Sequence, residues 1–274
     1  MKRIQNRMNL TWIKFSVLIT FIFLLFLSCY RDVIDLDLED FEPQIVIEGI
    51  ITDQAGPYQV KITKTGRFNQ LNNFPPVTGA EVIINDNFGK SEILREIRAG
   101  LYETQTLQGV PGRTYTFRVI AEGKEYSASS TMPEPLLLDY VSLLNRGWGY
   151  VMVCAFTDRQ GIEDYCRLKI FKNGELVEKY LYQGRFSDGE QYVIDDFDVT
   201  FNYNDNVNIQ LFTFNKATYE YFSMLDSGEG GGDYDPELPE FVEISLANPK
   251  TNLSNNALGH FSAYTIRNYT RIVR

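Results

Sequence analysis

The amino-acid sequence predicts a mostly β protein: an N-terminal immunoglobulin-like β-sandwich followed by a second antiparallel β domain with one short helix. Two segments carry this prediction, Tyr58–Thr63 and Thr114–Val119, because apolar and polar residues alternate along both with a period of two. Turn signals such as Glu122-Gly123 separate the segments. Strands this closely spaced, with no helical period between them, are typical of a sandwich.

The second region has the same period. Alternate residues from Trp148 to Phe156 are apolar and fall on one face of a predicted strand. Val151, Val153 and Ala155 fall on the other face, which predicts a strand buried on both sides.

Further elements follow along the chain. An apolar row at Cys166, Leu168 and Ile170 ends at the hairpin signal Asn173-Gly174. A helix is expected with Asn215 as its N-cap, a body from Lys216 to Leu225, and Gly228 near its end; its face formed by Ala217, Tyr221 and Leu225 is expected to pack on the sheet. The later strands are predicted at Gln191–Ile194, Phe197–Tyr203, Val207–Phe214 and Phe241–Ser245.

Met132-Pro133-Glu134-Pro135 marks the boundary between the two β regions, because two prolines disfavour regular structure and stiffen a short linker. The predicted division is therefore 1–28 for a signal peptide, 29–37 for an acidic tether, 38–133 for the first sandwich and 134–274 for the second β domain.

The N-terminus has the parts of a secretory signal. Basic residues precede the short apolar run Phe15–Leu27, and Ser28-Cys29 follows it directly. The run is shorter than the roughly 20 residues that a spanning helix needs; an uncleaved anchor helix is the alternative. The position of Cys29 resembles that in a bacterial lipoprotein signal, which implies diacylation of its thiol, cleavage before it and acylation of the new amino group. Two or more acyl chains anchor a protein stably.

The formal net charge limits the classes of partner that are expected. Loss of residues 1–28 changes the formal net charge from −10 to −14, because that segment carries four positive charges and no negative one. Such a chain is not expected to bind nucleic acid, which requires a basic face. The acyl chains, rather than charge, would hold it on a membrane. The acidic stretch Tyr30–Asp40 also resembles the surface-export signal of Bacteroidota lipoproteins; a plain solvated linker is the alternative.

Four blocks follow the candidate lipid-bearing cysteine, in the order Ile45–Gly49, Val77–Val82, Ala247–Leu253 and Ala257–Ala263. Together they resemble the Bacteroidota lipoprotein family catalogued as domain of unknown function 4249, across nearly the whole chain after Cys29. The two C-terminal blocks are the more specific part of the resemblance. The family is often encoded beside TonB-dependent outer-membrane receptors, which implies an accessory role in uptake. It supplies no catalytic residues.

Cysteine and histidine chemistry is sparse. One His and three Cys exclude a multi-histidine metal site and a disulfide-rich scaffold in this chain, and no cofactor is predicted. If the strands around Thr157–Glu163 form a hairpin, Cys154 and Cys166 lie opposite each other on one face, where a disulfide is one outcome and two buried thiols the other. His260 lacks a nucleophile-elbow or zinc motif around it, so we expect a structural ring.

Acidic and aromatic residues supply weaker candidates. Asp226, Glu229, Asp233 and Asp235 surround a glycine-rich loop whose oxygen ligands would suit Ca²⁺, although their spacing is not that of an EF-hand and a solvated loop is expected instead. A second carboxylate group is formed by Asp195, Asp196 and Asp198. Tyr180 and Tyr182 are candidates for a surface that contacts sugar or peptide, the alternative being a place in the core.

The expected function is that of a lipid-anchored outer-membrane accessory protein on the cell surface. It would have a non-enzymatic binding or assembly role beside a TonB-dependent transporter in nutrient uptake. The alternatives are a surface hydrolase acting on glycan or peptide and a purely structural envelope lipoprotein. A converging catalytic constellation would favour the hydrolase, whereas a broad apolar patch on an otherwise acidic face would favour the binding module.

Overall fold

Alternating polar and apolar residues form strands over most of the chain in its computed structural model. The structure describes residues 42–66, 74–184, 188–228 and 249–274. The elements in chain order are β1 (Ile45–Thr52), β2 (Gln59–Lys64), β3 (Glu81–Asp86), β4 (Ser91–Ile93), β5 (Arg95–Arg98), β6 (Leu101–Glu103), β7 (Thr114–Ala121), β8 (Lys124–Thr131), β9 (Leu138–Asn145), β10 (Tyr150–Thr157), β11 (Tyr165–Lys172), β12 (Glu175–Gln183), β13 (Gln191–Ile194), β14 (Thr200–Phe201), β15 (Asn206–Phe214), α1 (Lys216–Gly228) and β16 (Leu258–Ile272).

The strands are arranged in one long sheet and two short ones. The long sheet has the order β12-β11-β15-β16-β1-β2-β6-β5. One short sheet has the order β4-β3-β7-β8, and in the other β10 pairs with β9 on one side and with β13 and β14 on the other. Shared buried clusters show that each short sheet packs on a different half of the long one. The predicted mostly β sandwich fold with a short helix is therefore confirmed.

Each sandwich has its own apolar core. The outward-inward alternation of β7 buries Tyr115, Phe117 and Val119 completely in the first core. The second core contains Met152, Cys154, Phe156, Leu168, Ile170 and Ile209, all fully buried. Burial of one face of each sheet is the main source of stability in such an arrangement.

Strand β16 belongs to both halves of the long sheet. Its first part pairs in parallel with β1, from Val46 opposite Leu258 to Thr52 opposite Tyr264. Its second part pairs antiparallel with β15, ending with Ile272 opposite Asn206. The C-terminal strand therefore completes the first sandwich as well as the second.

The predicted linker lies where the chain passes from one core to the other. Met132 is fully buried in the first core, and Leu136 is buried in the second, where its N–H donates to Thr213 Oγ1 at 3.0 Å. The division into 38–133 and 134–274 stays a prediction. By sequence β16 belongs to the second range, but from Leu258 onward it pairs with β1 and so extends the sheet of the first sandwich.

Local turn and cap signals are found where the sequence placed them. Asn173 and Gly174 both have positive φ, 53° and 89°, and join β11 to β12. Glu122 and Gly123 do the same between β7 and β8, with φ of 50° and 75°. Asn215 caps α1 by accepting the Thr218 N–H at Oδ1, at 3.0 Å. These features depend on neighbouring residues alone.

Three local predictions are wrong. Strand β14 covers only Thr200–Phe201 of the predicted Phe197–Tyr203, and Trp148 is exposed instead of continuing the buried face of β10. The helix packs through only one residue of the predicted face: Tyr221 stacks on His260 of β16, but Ala217 and Leu225 are exposed, while Thr218 is buried and Phe222 packs on the sheet. The predicted strand Phe241–Ser245 lies outside the described residues.

Candidate functional site

The candidate lipid site cannot be located on the fold. Cys29, the signal peptide 1–28 and the tether lie outside the described residues, so acylation of Cys29 stays a prediction. In the part of the chain that the structure describes, no helix is long and apolar enough to cross a membrane.

Cys154 and Cys166 do not lie on a hairpin, so that premise is wrong. β10 pairs with β9, β13 and β14, whereas β11 pairs with β12 and β15 in the opposite sheet. The two cysteines lie in the core between these sheets as free, fully buried thiols. Burial raises the pKa of Cys154 to about 12, so it is not a reactive thiolate at neutral pH.

The acidic candidates do not form a metal site in the described part of the fold. Glu229, Asp233 and Asp235 lie outside the described residues, and of Asp226 only its place near the end of α1 is described. Asp195, Asp196 and Asp198 lie in the exposed loop after β13. Among the described residues no three His, Cys, Asp or Glu side chains converge on a point where a metal ion would fit.

His260 lies on β16 beneath α1, and 4% of its surface is exposed. Its ring stacks on Tyr221 with a centroid distance of 4.6 Å, and its Nε2 lies 3.3 Å from Thr218 Oγ1. A hydroxyl beside an imidazole resembles a nucleophile and base. However, Thr218 is completely buried, and no described group pairs with His260 Nδ1 to orient the ring. Burial also lowers the pKa of His260 to about 4, which makes it a weak base.

The two C-terminal sequence blocks have a structural explanation. Asn252 bonds both backbone groups of Phe261: its Nδ2 donates to the carbonyl at 2.8 Å, and its Oδ1 accepts the N–H at 3.0 Å. Phe261 is fully buried and stacks on Phe117 at 5.0 Å. Gly259 has a φ of 93°, and a Cβ there would lie 2.2 Å from the Ile47 carbonyl oxygen. The blocks therefore hold β16 against β1.

The exposed face of the β9–β10 sheet is the strongest candidate for a binding surface. Opposed residues of an antiparallel pair share a face, so the pairs Ala155–Tyr140 and Val151–Leu144 point away from the core side that carries Met152 and Cys154. Tyr140, Leu144, Val193 and the hairpin residue Trp148 are 39%, 41%, 45% and 70% exposed. We call Tyr140, Leu144, Val151, Val153 and Val193 the apolar face; the exposed Trp148 adjoins it in the hairpin between β9 and β10.

Two features make the apolar face unusual. The solvent side of an antiparallel sheet is normally polar, yet here most of the central outward positions are aliphatic or aromatic, and Ser142 and Thr200 are polar exceptions. Strand β9 is also the edge of its sheet, so its outer backbone groups are available for a partner strand. The prediction that β10 is buried on both sides holds at Ala155, which is fully buried, and is wrong for Val151 and Val153, which are only partly covered.

The rim of the apolar face is mainly acidic. Asp195, Asp196 and Asp198 follow β13 and are exposed, and Asp139 lies on β9, where it accepts from Thr157 Oγ1 at 2.9 Å. Arg146, in the hairpin beside Trp148, contributes a positive charge. A complementary partner therefore has an apolar centre and basic side chains around it.

The sequence did not predict the apolar face, because apolar and polar residues do not alternate regularly along β9, where Leu138 is buried and Leu144 is exposed. A β-bulge between Ala155 and Phe156 changes the register along this pair. The tyrosines proposed as ligand contacts lie elsewhere: Tyr182 is buried in the second core, and the hydroxyl of Tyr180 lies 2.7 Å from that of Tyr192.

Three solved structures show limited similarity to this chain. The FN1–FN3 domains of chicken CNTN1 superpose with a TM-score of 0.29 at 11% identity, over 85% of this chain and 67% of that chain. A segment of two fibronectin type III domains from chicken tenascin gives 0.21 at 12% identity, over 63% and 91%. The Yersinia pseudotuberculosis adhesin InvE gives 0.21 at 15% identity, over 61% and 54%. Scores this low support no inference about function.

A comparison with curated proteins finds no match. A family model does match, and it spans residues 31–270, which include both sandwiches and the two C-terminal blocks around Asn252 and Gly259. The chain therefore belongs to the family described as domain of unknown function (DUF4249).

Proposed function

We propose that this protein is a lipid-anchored accessory protein of the Bacteroidota outer membrane that binds a TonB-dependent receptor through its apolar face. The role is one of binding or assembly on the cell surface, without catalysis. The single observation that carries the proposal is the exposed apolar face on β9, β10 and β13.

Apolar surface exposed to water is unfavourable. Covering it with a partner would stabilise the complex by about 25 cal/mol for each Å² of apolar area buried. Contiguous apolar patches rimmed by polar groups usually mark contact sites. Trp148 and Tyr140 are residue types that dominate binding energy at interfaces, since each buries a large rigid ring. The acidic rim supplies steering and orientation toward a basic partner rather than most of the affinity.

The N-terminal sequence supports the anchored part of the proposal. Cys29 follows a short apolar run, and the stretch Tyr30–Asp40 then separates it from the fold. An extended chain gains at most about 3.6 Å per residue. The tether therefore lets the fold begin within a few nanometres of the membrane, where an integral receptor presents its outer loops.

The test is co-purification of the receptor with the full chain from native membranes in mild detergent. Leu144→Glu and Val193→Glu each place a charge on the apolar face, while Ile93→Glu is the matched control. Ile93 is 66% exposed but lies on β4 of the first sandwich. We expect loss of a TonB-dependent receptor, identified by mass spectrometry, in the first two variants and its retention in the control.

Three results would contradict the proposal. Recovery of the chain as a monomer without any receptor would favour a structural envelope protein. Equal recovery of the receptor with all variants would show that receptor binding does not depend on the apolar face. Protection from protease in intact cells, with degradation only after lysis, would place the chain on the periplasmic side.

A further inference from the structure

A second feature lies on the long sheet, on the outer face of β11, β15 and β16. It is a shallow groove of about 310 Å³ that is largely open to solvent, unlike the enclosed clefts that hold most small molecules. Every residue that lines it is uncharged: Phe171, Gly174, Asn206, Asn208, Gln210 and Thr270. We call it the amide groove.

The strand register arranges these side chains in two rows. Phe171, Asn208 and Thr270 lie opposite one another across β11, β15 and β16. In the next row, Gln210 lies opposite Asn268. Their outward direction follows from the burial of the alternate residues of β15, such as Ile209, in the second core.

The amides of the groove have unused hydrogen-bonding capacity. The side chains of Asn206, Gln210 and Asn268 have no hydrogen-bond partner among the described residues. Asn208 uses only its Nδ2, which donates to Thr270 Oγ1 at 3.1 Å and to the Tyr269 carbonyl at 3.5 Å. Each side-chain amide carries two donor hydrogens and an acceptor oxygen. The groove therefore offers several donors and acceptors on one surface.

An ordinary solvated sheet face looks different in this same molecule. On the first half of the long sheet, several outward positions pair two charges or a charge with an amide. Lys61 lies 3.8 Å from Glu48, and Gln59 donates to Glu103 at 3.1 Å. Asparagine is disfavoured in strands, yet β15 carries two, Asn206 and Asn208, on the same face.

An aromatic ring closes one side of the amide groove. Phe171 follows a β-bulge between β11 and β12, where the pairing shifts after Ile170 and Leu176 becomes its partner. Bulges commonly re-aim a side chain beside a functional site. The half-buried Phe171 ring thus provides an apolar surface next to neutral donors and acceptors.

We propose that the amide groove binds a neutral saccharide. A pyranose has an apolar ring face, which would rest on Phe171, and a rim of hydroxyls, which would exchange hydrogen bonds with Asn208 and Gln210. The site is separate from the apolar face and does not depend on the receptor proposed above.

The chemistry favours a sugar over other ligands. An ionic ligand would need a counter-charge, and the lining carries none. Lys169 lies in the row of Gln210, but its Nζ lies 5.3 Å from the centre of the Phe212 ring in the neighbouring row. An extended peptide gains most of its affinity from an open sheet edge, whereas β15 and β16 are interior strands paired on both sides.

The test is saturation-transfer NMR on the full chain in a detergent without a sugar headgroup. The probes are maltose, cellobiose, lactose and N,N′-diacetylchitobiose, with trialanine as the peptide probe. The variants are N208A/Q210A and Thr270→Lys, which places a long charged chain in the groove at an exposed position. Asn85→Ala is the matched control, because Asn85 also points outward from a strand but lies on β3 of the first sandwich.

We expect transfer to at least one disaccharide, and affinity at least about tenfold weaker in N208A/Q210A, as the loss of one to two hydrogen bonds would give. Thr270→Lys should abolish binding, Asn85→Ala should not change it, and unfolding temperatures should stay close to the parent. The proposal is overturned by absence of transfer to all four disaccharides at millimolar concentration. Equal binding by Thr270→Lys, or transfer to trialanine alone, would also overturn it.

Discussion

His260 makes the folding stability of this protein depend on pH in a defined window. The ring is 4% exposed, and burial lowers its pKa to about 4, compared with about 6.5 in an unfolded chain. The folded state therefore binds fewer protons than the unfolded state between these values. The contribution of His260 to the free energy of unfolding is fully present above pH 6.5 and is lost as the pH decreases toward 4.

The size of the effect follows from the two pKa values. At about 1.4 kcal/mol per pH unit, the difference between about 6.5 and about 4 corresponds to about 3 kcal/mol. That is a large fraction of the 5–15 kcal/mol by which folded domains are typically stable, at about 25 °C. As the single histidine of the chain, His260 has no other imidazole to mask it.

Carboxylates act in a lower window. Burial desolvates Asp53, Asp86 and Glu92, but hydrogen bonds outweigh this and hold the pKa of each carboxyl below its ordinary value. Their contribution to stability is present above an ordinary value of 3.8 for Asp or 4.5 for Glu and is lost below it. Between pH 6.5 and 4.5 the histidine therefore dominates.

The assay is urea unfolding of the chain without residues 1–28, followed by circular dichroism from pH 7.5 to 4.5. His260→Phe keeps the stacking on Tyr221 but has no titrating group. It should be less stable at pH 7.5 by about 1 kcal/mol, because the contact with Thr218 is lost. Its stability should then stay nearly constant down to pH 4.5. An unchanged slope in His260→Phe would refute the assignment.

Four further outcomes are expected. Cys29→Ala should leave the protein uncleaved or release it from the membrane fraction, and intact mass showing an unmodified N-terminus on the mature parent chain would contradict acylation. Gly259→Ala should destabilise the fold by about 3 kcal/mol, because its Cβ would overlap the Ile47 carbonyl at a φ of 93°; a denaturation midpoint equal to the parent would count against this packing. Asn252→Asp should cost about 1–3 kcal/mol, since the carbonyl of Phe261 loses its donor; urea titration at pH 7.5 measures the cost, and none would be expected if solvent replaced the amide. Cys154 and Cys166 should resist iodoacetamide in the folded chain and both react after unfolding without reductant; a requirement for reductant would reveal a disulfide.

Short-range features were predictable because they depend on residues close in sequence. The alternation of Tyr115, Phe117 and Val119 places two aromatic rings and one branched side chain on the same face of a strand, whatever lies opposite. Asn173-Gly174 specifies its turn through backbone preferences, and Asn215 caps α1 through a side-chain oxygen three residues away. The family resemblance was visible for a related reason, since its C-terminal blocks hold residues that the fold requires.

The candidate surfaces were less predictable, because exposure depends on what the rest of the chain covers. Val153 and Cys154 are equally suited to a core, yet only the side of Cys154 is covered by the long sheet. The amide groove likewise exists only after β11, β15 and β16 are paired in one register. None of these three strands contains the groove alone.

Local sequence was thus sufficient for the class of fold, the hairpin turns and the helix start, whereas acylation of Cys29 stays a prediction from sequence. Tertiary structure decided which side of β10 faces solvent, that Cys154 and Cys166 lie in opposing sheets, and that β16 pairs with β1. The physical reason is that backbone preferences and side-chain periodicity act over a few residues. Strand partners and buried faces are chosen by contacts between distant segments, and Ile47 and Gly259 meet only when β16 pairs with β1.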